Sequence, residues 1–315
     1  MDILIGVLEQ GMIYAIIALG VYITYKILNF PDLTVDGSFP LGAAVTVILM
    51  TNTESSFINA ISLNHNPYII MFLALLSGGI AGFITGIINV KFKVRDLLSG
   101  IITMTALYSI NLRIAGRANV PIFNMDTIFS NEMVDNIFPE ALARYKVLII
   151  ISVITVGAKL MMDLYFNTKS GYLLRAVGNN SILVTSLAKD SGNIKILGLV
   201  IANALVALSG SVMMQQQGFF EISMGTGAMV IGLASVIIGT NLLKKLSFVK
   251  STTGVILGSI IYKACISMAM NVSFARASDM KLITSLLFLV ILLIGNDRKR
   301  RVKIVARVEE YKQGI

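Results

Sequence analysis

Asn29-Phe30-Pro31-Asp32-Leu33-Thr34-Val35-Asp36-Gly37-Ser38-Phe39-Pro40-Leu41-Gly42 interrupts an otherwise apolar N-terminal region. Two prolines, two acids and two glycines break helix here, ahead of a short apolar helix expected from Ala43. A second interruption, Gln215-Gln216-Gln217-Gly218-Phe219-Phe220-Glu221-Ile222-Ser223-Met224-Gly225-Thr226-Gly227, gives way to a helix expected from Ala228. Matching breaks in two halves, reached from opposite sides of a membrane, are the trace that an inverted repeat leaves. Two ordinary polar loops are the alternative, because the halves share no residue-by-residue identity.

The sequence around these breaks is that of a polytopic membrane protein. Of 315 residues, 56% are hydrophobic and 14% charged, whereas soluble domains carry roughly 25% charged residues. A span needs about 20 apolar residues. Apolar runs lie near residues 3–25, 37–51, 67–90, 97–114, 146–166, 194–213, 227–243, 252–271 and 280–295, so the expected fold is all-α with nine spans, eight or ten being the neighbouring counts. Residues 1–297 form the membrane domain, residues 167–193 a polar segment inside it, and residues 298–315 a basic tail. Counting Lys and Arg on alternate sides gives eighteen against six, which puts the C-terminus in the cytoplasm and the N-terminus outside.

Composition also removes whole classes of chemistry. A single Cys265 and a single His65 exclude a disulfide framework and a Cys/His metal cluster. The chain has no Gly-Lys dipeptide and therefore no phosphate-cradling P-loop. A net charge of +9 follows from cytoplasmic Lys and Arg and does not require nucleic acid.

Polar groups inside apolar runs are costly and belong in the protein interior. Asp32 and Asp36 in the first break, Ser99, Thr103 and Asn111 in the fourth run, and Lys263 in the eighth are the candidate polar groups of a pathway or of its framework, and Thr105 and Ser109 of the fourth run are expected to face inward with them. Glu9, near an end, is expected to snorkel to the interface. Gly78, Gly82 and Gly86, and again Gly254 and Gly258, recur every four residues, a stripe along which a second helix backbone approaches closely.

The segment from Asn167 to Asn193 is too polar to cross and too apolar for a linker. It reads as two short helices hinged at Gly178, with Tyr172, Leu173, Ala176 and Val177 on one apolar face and Ile182, Leu183 and Leu187 on another. Such a face on a cytoplasmic loop needs a partner, either the membrane surface or another protein.

Gly171-Tyr172-Leu173-Leu174-Arg175-Ala176-Val177-Gly178-Asn179-Asn180, followed by Leu187-Ala188-Lys189-Asp190-Ser191-Gly192, resembles the coupling loop of permease subunits of ATP-binding-cassette importers, in the branch of branched-chain amino acid and ribose permeases. Residues 28–42 resemble the segment after the first core helix of those permeases. The wording Asn29-Phe30-Pro31-Asp32-Leu33-Thr34-Val35-Asp36-Gly37 is most similar to a subgroup assigned to tryptophan or tyrosine uptake in low-GC Gram-positive bacteria.

That resemblance implies a two-fold dimer, a homodimer or a heterodimer, in the bacterial plasma membrane. It also implies an external solute-binding lipoprotein and a cytoplasmic ATPase holding ATP and magnesium, with no cofactor on this chain. The solute would be an amino acid, aromatic or branched-chain, with a sugar or nucleoside as alternatives. Gly171 to Gly192 would dock on the ATPase, with Leu174, Val177 and Leu183 in apolar contact, Arg175, Asn179 and Asn180 in polar contact, and Gly178 at the turn. Two other classes stand beside it. An ion-coupled transporter or channel would use Glu9 and Lys263, and an intramembrane enzyme would need paired groups that the sequence does not offer.

Overall fold

The computed structural model describes residues 2–51, 65–123, 125–179, 190–242, 250–270 and 282–293. Helix α1 (Asp2–Val21) closes in a π-helical turn, Tyr22–Ile27. Then come α2 (Val35–Thr51), α3 (Pro67–Val90), α4 (Asp96–Ala115), strand β1 (Asn119–Pro121), and the short α5 (Glu132–Ile137). They are followed by α6 (Lys146–Phe166), α7 (Lys169–Asn179), α8 (Ser191–Gln217), β2 (Phe219–Glu221), α9 (Ala228–Leu242), α10 (Ser251–Met270) and α11 (Leu282–Leu293). Among the described residues, seven apolar helical stretches are long enough to cross a membrane, and Val35–Thr51 and Leu282–Leu293 are shorter apolar helices.

Local chemistry sets the helix ends. Asn66 caps α3 by accepting from the Tyr68 amide at 3.0 Å, with Pro67 in the first turn, where its missing N–H costs nothing. Asp190 caps α8 by accepting from the Gly192 amide at 2.8 Å. Gly116 ends α4 and Gly218 ends α8, each left-handed with φ near 75°, which only glycine adopts without strain.

Helix α8 is the axis of the fold. Its most apolar stretch is 83% buried, against 28% for α4 and for α6. A Cβ on Gly42 would fall on the Ala207 carbonyl, and one on Gly210 would fall on the Phe39 carbonyl, so α2 and α8 touch backbone to backbone. Gly78 and Gly82 bring α3 onto the carbonyls of Asn203 and Leu199, and Gly86 meets Ile196. Gly254 and Gly258 do the same for α9 and α10, where Gly239 packs on the Gly254 carbonyl and Gly258 on the Ser235 carbonyl.

The two ends of the bundle are distinct. At one, β1 and β2 pair antiparallel, with Val120 opposite Phe220, and Ile122 and Phe220 pack with Met50 and Ile70. This two-stranded ladder joins positions far apart in the chain, and the apolar-run reading had no strand in it. At the other end, α7 lies against the close of α1 and the start of α8.

The first break differs from expectation at its end. Helix restarts at Val35, eight residues before Ala43, and runs through Pro40. Proline lacks the N–H that would reach back four residues to Asp36. The Asp36 carbonyl is instead approached by Gly225, which also packs on the Pro40 ring.

Glycine-mediated backbone contact makes a stability prediction. Gly42→Leu and Gly82→Leu should each lose more than about 3 kcal/mol through overpacking that the neighbouring carbonyls cannot relieve. Gly6→Leu, where nothing lies within 4 Å, should leave the melting temperature of the detergent-solubilised chain unchanged. Thermal unfolding of the three variants followed by size-exclusion chromatography checks it.

Candidate functional site

Both breaks lead to one place. The first climbs from Leu28 through Asn29, whose φ is 52°, to the start of α2 at Val35. The second descends from β2 through a 3-10 turn, Ile222–Gly225, to the start of α9 at Ala228. There the Asp36 carboxylate accepts from the Met229 amide at 2.8 Å and from the Gly227 amide at 3.1 Å. A residue in the first turn of one helix thus caps another helix nearly two hundred positions away. Two of the four orphan amides of α9 are satisfied by it.

From this crossing the helices part. The end of α2 lies with the β ladder, Met50 packing with Phe220. The end of α9 lies at the opposite end of the bundle, where Gly239 meets the beginning of α10. The two helices therefore start beside one another and run opposite ways, the relation that an inverted repeat produces.

Asp32 anchors the same region from below. It is fully buried, accepting from the Thr34 amide at 2.9 Å and from Asn203 Nδ2 at 2.8 Å. Asn203 in turn accepts from the Ser38 hydroxyl at 2.7 Å through Oδ1. Thr34 and Thr85 share a hydroxyl contact of 2.8 Å, tying α3 in. Gly100 on α4 sits against Leu33 and Asp32. Ser99, Thr103 and Asn111 lie buried on the inner face of α4. The first two donate to carbonyls of their own helix, Asp96 and Ser99, and Asn111 Nδ2 donates to the Gly37 carbonyl at 3.0 Å. Asn111 Oδ1 is buried with no partner among the described residues.

Lys263 rests its ammonium 5.4 Å from the centre of the Tyr14 ring, half-buried between α10 and α1. Glu9 does not reach alone toward an interface; it accepts from Gln216 Nε2 at 3.3 Å, linking α1 to the end of α8.

In the segment from Asn167, two residues expected to contact a partner turn inward. Leu174 and Val177 are buried within the chain, Leu174 against Gly198. The outward face carries Tyr172, Arg175 and Asn179, with Leu173 and Ala176 half-buried. Gly178 is no hinge: α7 runs through it, and a Cβ there would fall on the Ile27 carbonyl. Gly171 likewise packs on Tyr165 and Phe166. Asn29 Nδ2 donates to the Gly178 carbonyl at 2.9 Å, so the first break and the end of α7 are one unit. Arg175 lies 4.8 Å over the Phe166 ring. Gly192 is in the first turn of α8. Asn180 and Leu183 lie outside the described residues.

Two clusters escaped sequence reasoning. Asp163, at the end of α6, accepts from Thr252 at 2.7 Å and pairs with Lys159 at 3.1 Å and Lys250 at 3.3 Å, fastening the start of α10 beside α7. The i,i+4 spacing of Lys159 and Asp163 was its signal. Asp96 accepts from Asn89 at 2.7 Å and from Lys195 at 3.0 Å, the latter also 4.8 Å from the Phe30 ring.

The Asp36 cap gives a second stability prediction. Asp36→Leu leaves two amides without their acceptor and should cost about 1–3 kcal/mol for each buried group left unpaired. Asp36→Asn, keeping one oxygen acceptor, should lose less. Asp135→Asn, at the exposed pair with Lys146, should lose under about 1 kcal/mol. Denaturation midpoints of the three variants in detergent order them.

With this geometry described, comparison with known proteins is informative. A family model described as branched-chain amino acid transport system / permease component matches residues 3–295. A tyrosine transport system permease protein from Clostridioides difficile (strain R20291) is 43% identical over 314 residues, covering 98% of this chain and 98% of that one. An uncharacterized protein, RP368, from Rickettsia prowazekii (strain Madrid E) is 31% identical over 277 residues, covering 86% and 90% respectively. Among solved structures, PsaBC from Streptococcus pneumoniae in complex with Fab matches 90% of this chain and 89% of that chain at 15% identity and a TM-score of 0.48.

Proposed function

The chain belongs to the permease components of branched-chain amino acid transport systems, and from that premise we propose that it is the membrane subunit of an ATP-driven importer for an aromatic amino acid, tyrosine first. The observation that carries the solute is the 43% identity, end to end, with a relative named as a tyrosine transport permease. The membrane protein itself performs no covalent chemistry. ATP and magnesium belong to a separate cytoplasmic ATPase, and an external lipoprotein delivers the solute to a pair of these chains. The N-terminus is outside; the α7 end of the bundle and the basic tail from Arg298 are cytoplasmic, a reading supported by eighteen basic residues against six.

In this reading α7 is the docking helix. Its inner face, Leu174 and Val177, holds it to the bundle, while Tyr172, Arg175 and Asn179 point away. The helix backbone meets Ile27 through Gly178 and the break through Asn29. A push on α7 is therefore delivered to the base of the segment that leads to Asp32 and Asp36.

The test is reconstitution of the chain with its ATPase in proteoliposomes, supplied with the binding protein. Tyrosine uptake should require ATP on the ATPase side. Uptake driven by an ion gradient with the ATPase absent would overturn the importer reading.

The two faces of α7 make separate forecasts. Arg175→Glu and Tyr172→Glu should leave the melting temperature unchanged, yet lower ATPase co-purification and ATP-driven uptake by about ten-fold or more, as loss of an interface anchor does. Val177→Glu buries a charge within the chain itself and should lower the melting temperature before any partner is added.

A further inference from the structure

Among the described residues, Lys195 with Asp96 and Lys146 with Asp135 are ion pairs matched one to one. The cluster at the end of α6 is not matched. Asp163 Oδ2 is shared by two ammonium groups, Lys159 at 3.1 Å and Lys250 at 3.3 Å, while Oδ1 accepts from the Thr252 hydroxyl at 2.7 Å. Both carboxylate oxygens are thus engaged, and neither lysine has a second acid partner among the described residues. The cluster carries a positive charge in excess.

An ammonium has three N–H donors, and each lysine gives one to Asp163, so donors remain for a further anion. Water can serve Lys250, whose side chain is 63% exposed, but Lys159 is only 19% exposed. A mostly enclosed ammonium that holds a shared carboxylate is under-compensated, and an enclosed charge is costly until it is paired.

The surroundings are those of a lipid-facing surface. Leu160 and Leu164, next in sequence to Lys159 and Asp163, are exposed on α6, and Leu257 and Ile261 are exposed on α10. Helices α6 and α10 each pack on α1 but touch one another little, and the Asp163 cluster bridges them at the end where α7 begins. Excess positive charge at a membrane edge, with exposed aliphatic side chains leading away from it on two helices, is complementary to a phospholipid with an anionic headgroup. The phosphate takes the remaining ammonium donors, and the acyl chains lie along the leucines.

We propose that Lys159 and Lys250, held by Asp163 between the end of α6 and the start of α10, bind the phosphate of an anionic phospholipid of the cytoplasmic leaflet. The leaflet follows from the orientation given above; the site itself needs nothing else from the importer reading. A lipid bound there ties α6 to α10 from the membrane side, as Asp163 and Thr252 tie them from within.

The experiment titrates the purified full chain, in a neutral detergent, with phosphatidylglycerol or with phosphatidylcholine of the same acyl chains, and reads thermal unfolding together with native mass spectrometry. Phosphatidylglycerol should raise the melting temperature at about ten-fold lower lipid concentration than phosphatidylcholine and should stay bound to the chain in the spectrometer. Lys250→Gln leaves Lys159 matched one to one with Asp163 and should cut that preference to about two-fold or less. Asp163→Asn removes the competing carboxylate and should increase the preference, although the lipid-free chain melts lower; an ion pair that only fastens the two helices would show no such opposite change. Lys146→Gln, at the other end of α6, should leave the preference unchanged. Equal responses to the two lipids would overturn the anionic headgroup. Inorganic phosphate reproducing the shift at the same concentration would overturn a lipid as the source. Full preference in Lys250→Gln would put the lipid elsewhere and overturn the site. None of these measurements involves ATP or a solute, so their failure is distinct from failure of the importer reading.

Discussion

The Asp36 carboxylate, shared by the amides of Gly227 and Met229, is the interaction on which the architecture rests. Hydrocarbon has no water to satisfy an exposed backbone amide, so a helix that starts inside a membrane must find its acceptors within the protein. Here the start of α2 supplies those of α9. The arrangement obliges both breaks to converge, and it requires Gly225, because the Asp36 carbonyl left free by Pro40 leaves no space for a side chain. Asp32 performs the matching task one turn below, holding the Thr34 amide and the Asn203 side chain. Asp32, Thr34, Asp36 and Ser38 of this network come from the first break, Asn203 from α8 and Thr85 from α3, so the break is as much a part of the core as the helices around it.

Convergence of this kind demands close backbones, and the glycines provide them. Carbonyls at Asn203, Leu199 and Ala207 on one side of α8 are covered by Gly78, Gly82 and Gly42. Without a hydrophobic drive between helices in lipid, such close van der Waals contact is what associates them. The same tight packing closes the centre of the chain. A permease with a closed centre has its moving parts elsewhere, and the lightly packed α4 is held chiefly by its inner face, through Gly100 and Asn111, and at one end by Asp96 with Lys195 and Asn89.

The spans, their number and the two breaks were legible because they follow from composition and from residues that disrupt helix locally. Apolar runs announce length, and proline, glycine and acid announce interruption. The inward aim of Ser99, Thr103 and Asn111 was legible because lipid penalises polar groups, whereas Thr105 and Ser109, expected inward on the same ground, are exposed in this chain. What was not legible depends on partners distant in sequence. The amphipathic period of α7 reveals that Leu174 and Val177 share a face, but a face fit for a partner protein and one fit for the rest of the chain have the same spacing. Gly178 reads as a turn from local propensity, yet its role is set by the Ile27 carbonyl, about one hundred and fifty positions away. Pro40 reads as a breaker, yet α2 runs through it, with the Asp36 carbonyl that it leaves free facing Gly225. The β1–β2 ladder joins positions about one hundred residues apart, and three-residue strands carry no period long enough to notice.

The contacts around α7 also say how a signal at its outward face would spread. Two separate connections leave it. One runs through Gly178 and Asn29 into the first break and so to Asp32 and Asp36. The other runs through Gly171 to the end of α6, where Asp163 grips Thr252 and Lys250 at the start of α10. The first reaches α2 in one half, and the second reaches the helix that packs on α9 in the other, through Gly258 and Ser235. Helix α7 is thus in contact with segments leading to both halves, and α2 and α9 are themselves joined through Asp36. A joint shared by two oppositely directed helices within a closely packed core favours displacement of the two as a unit over gradual deformation of either.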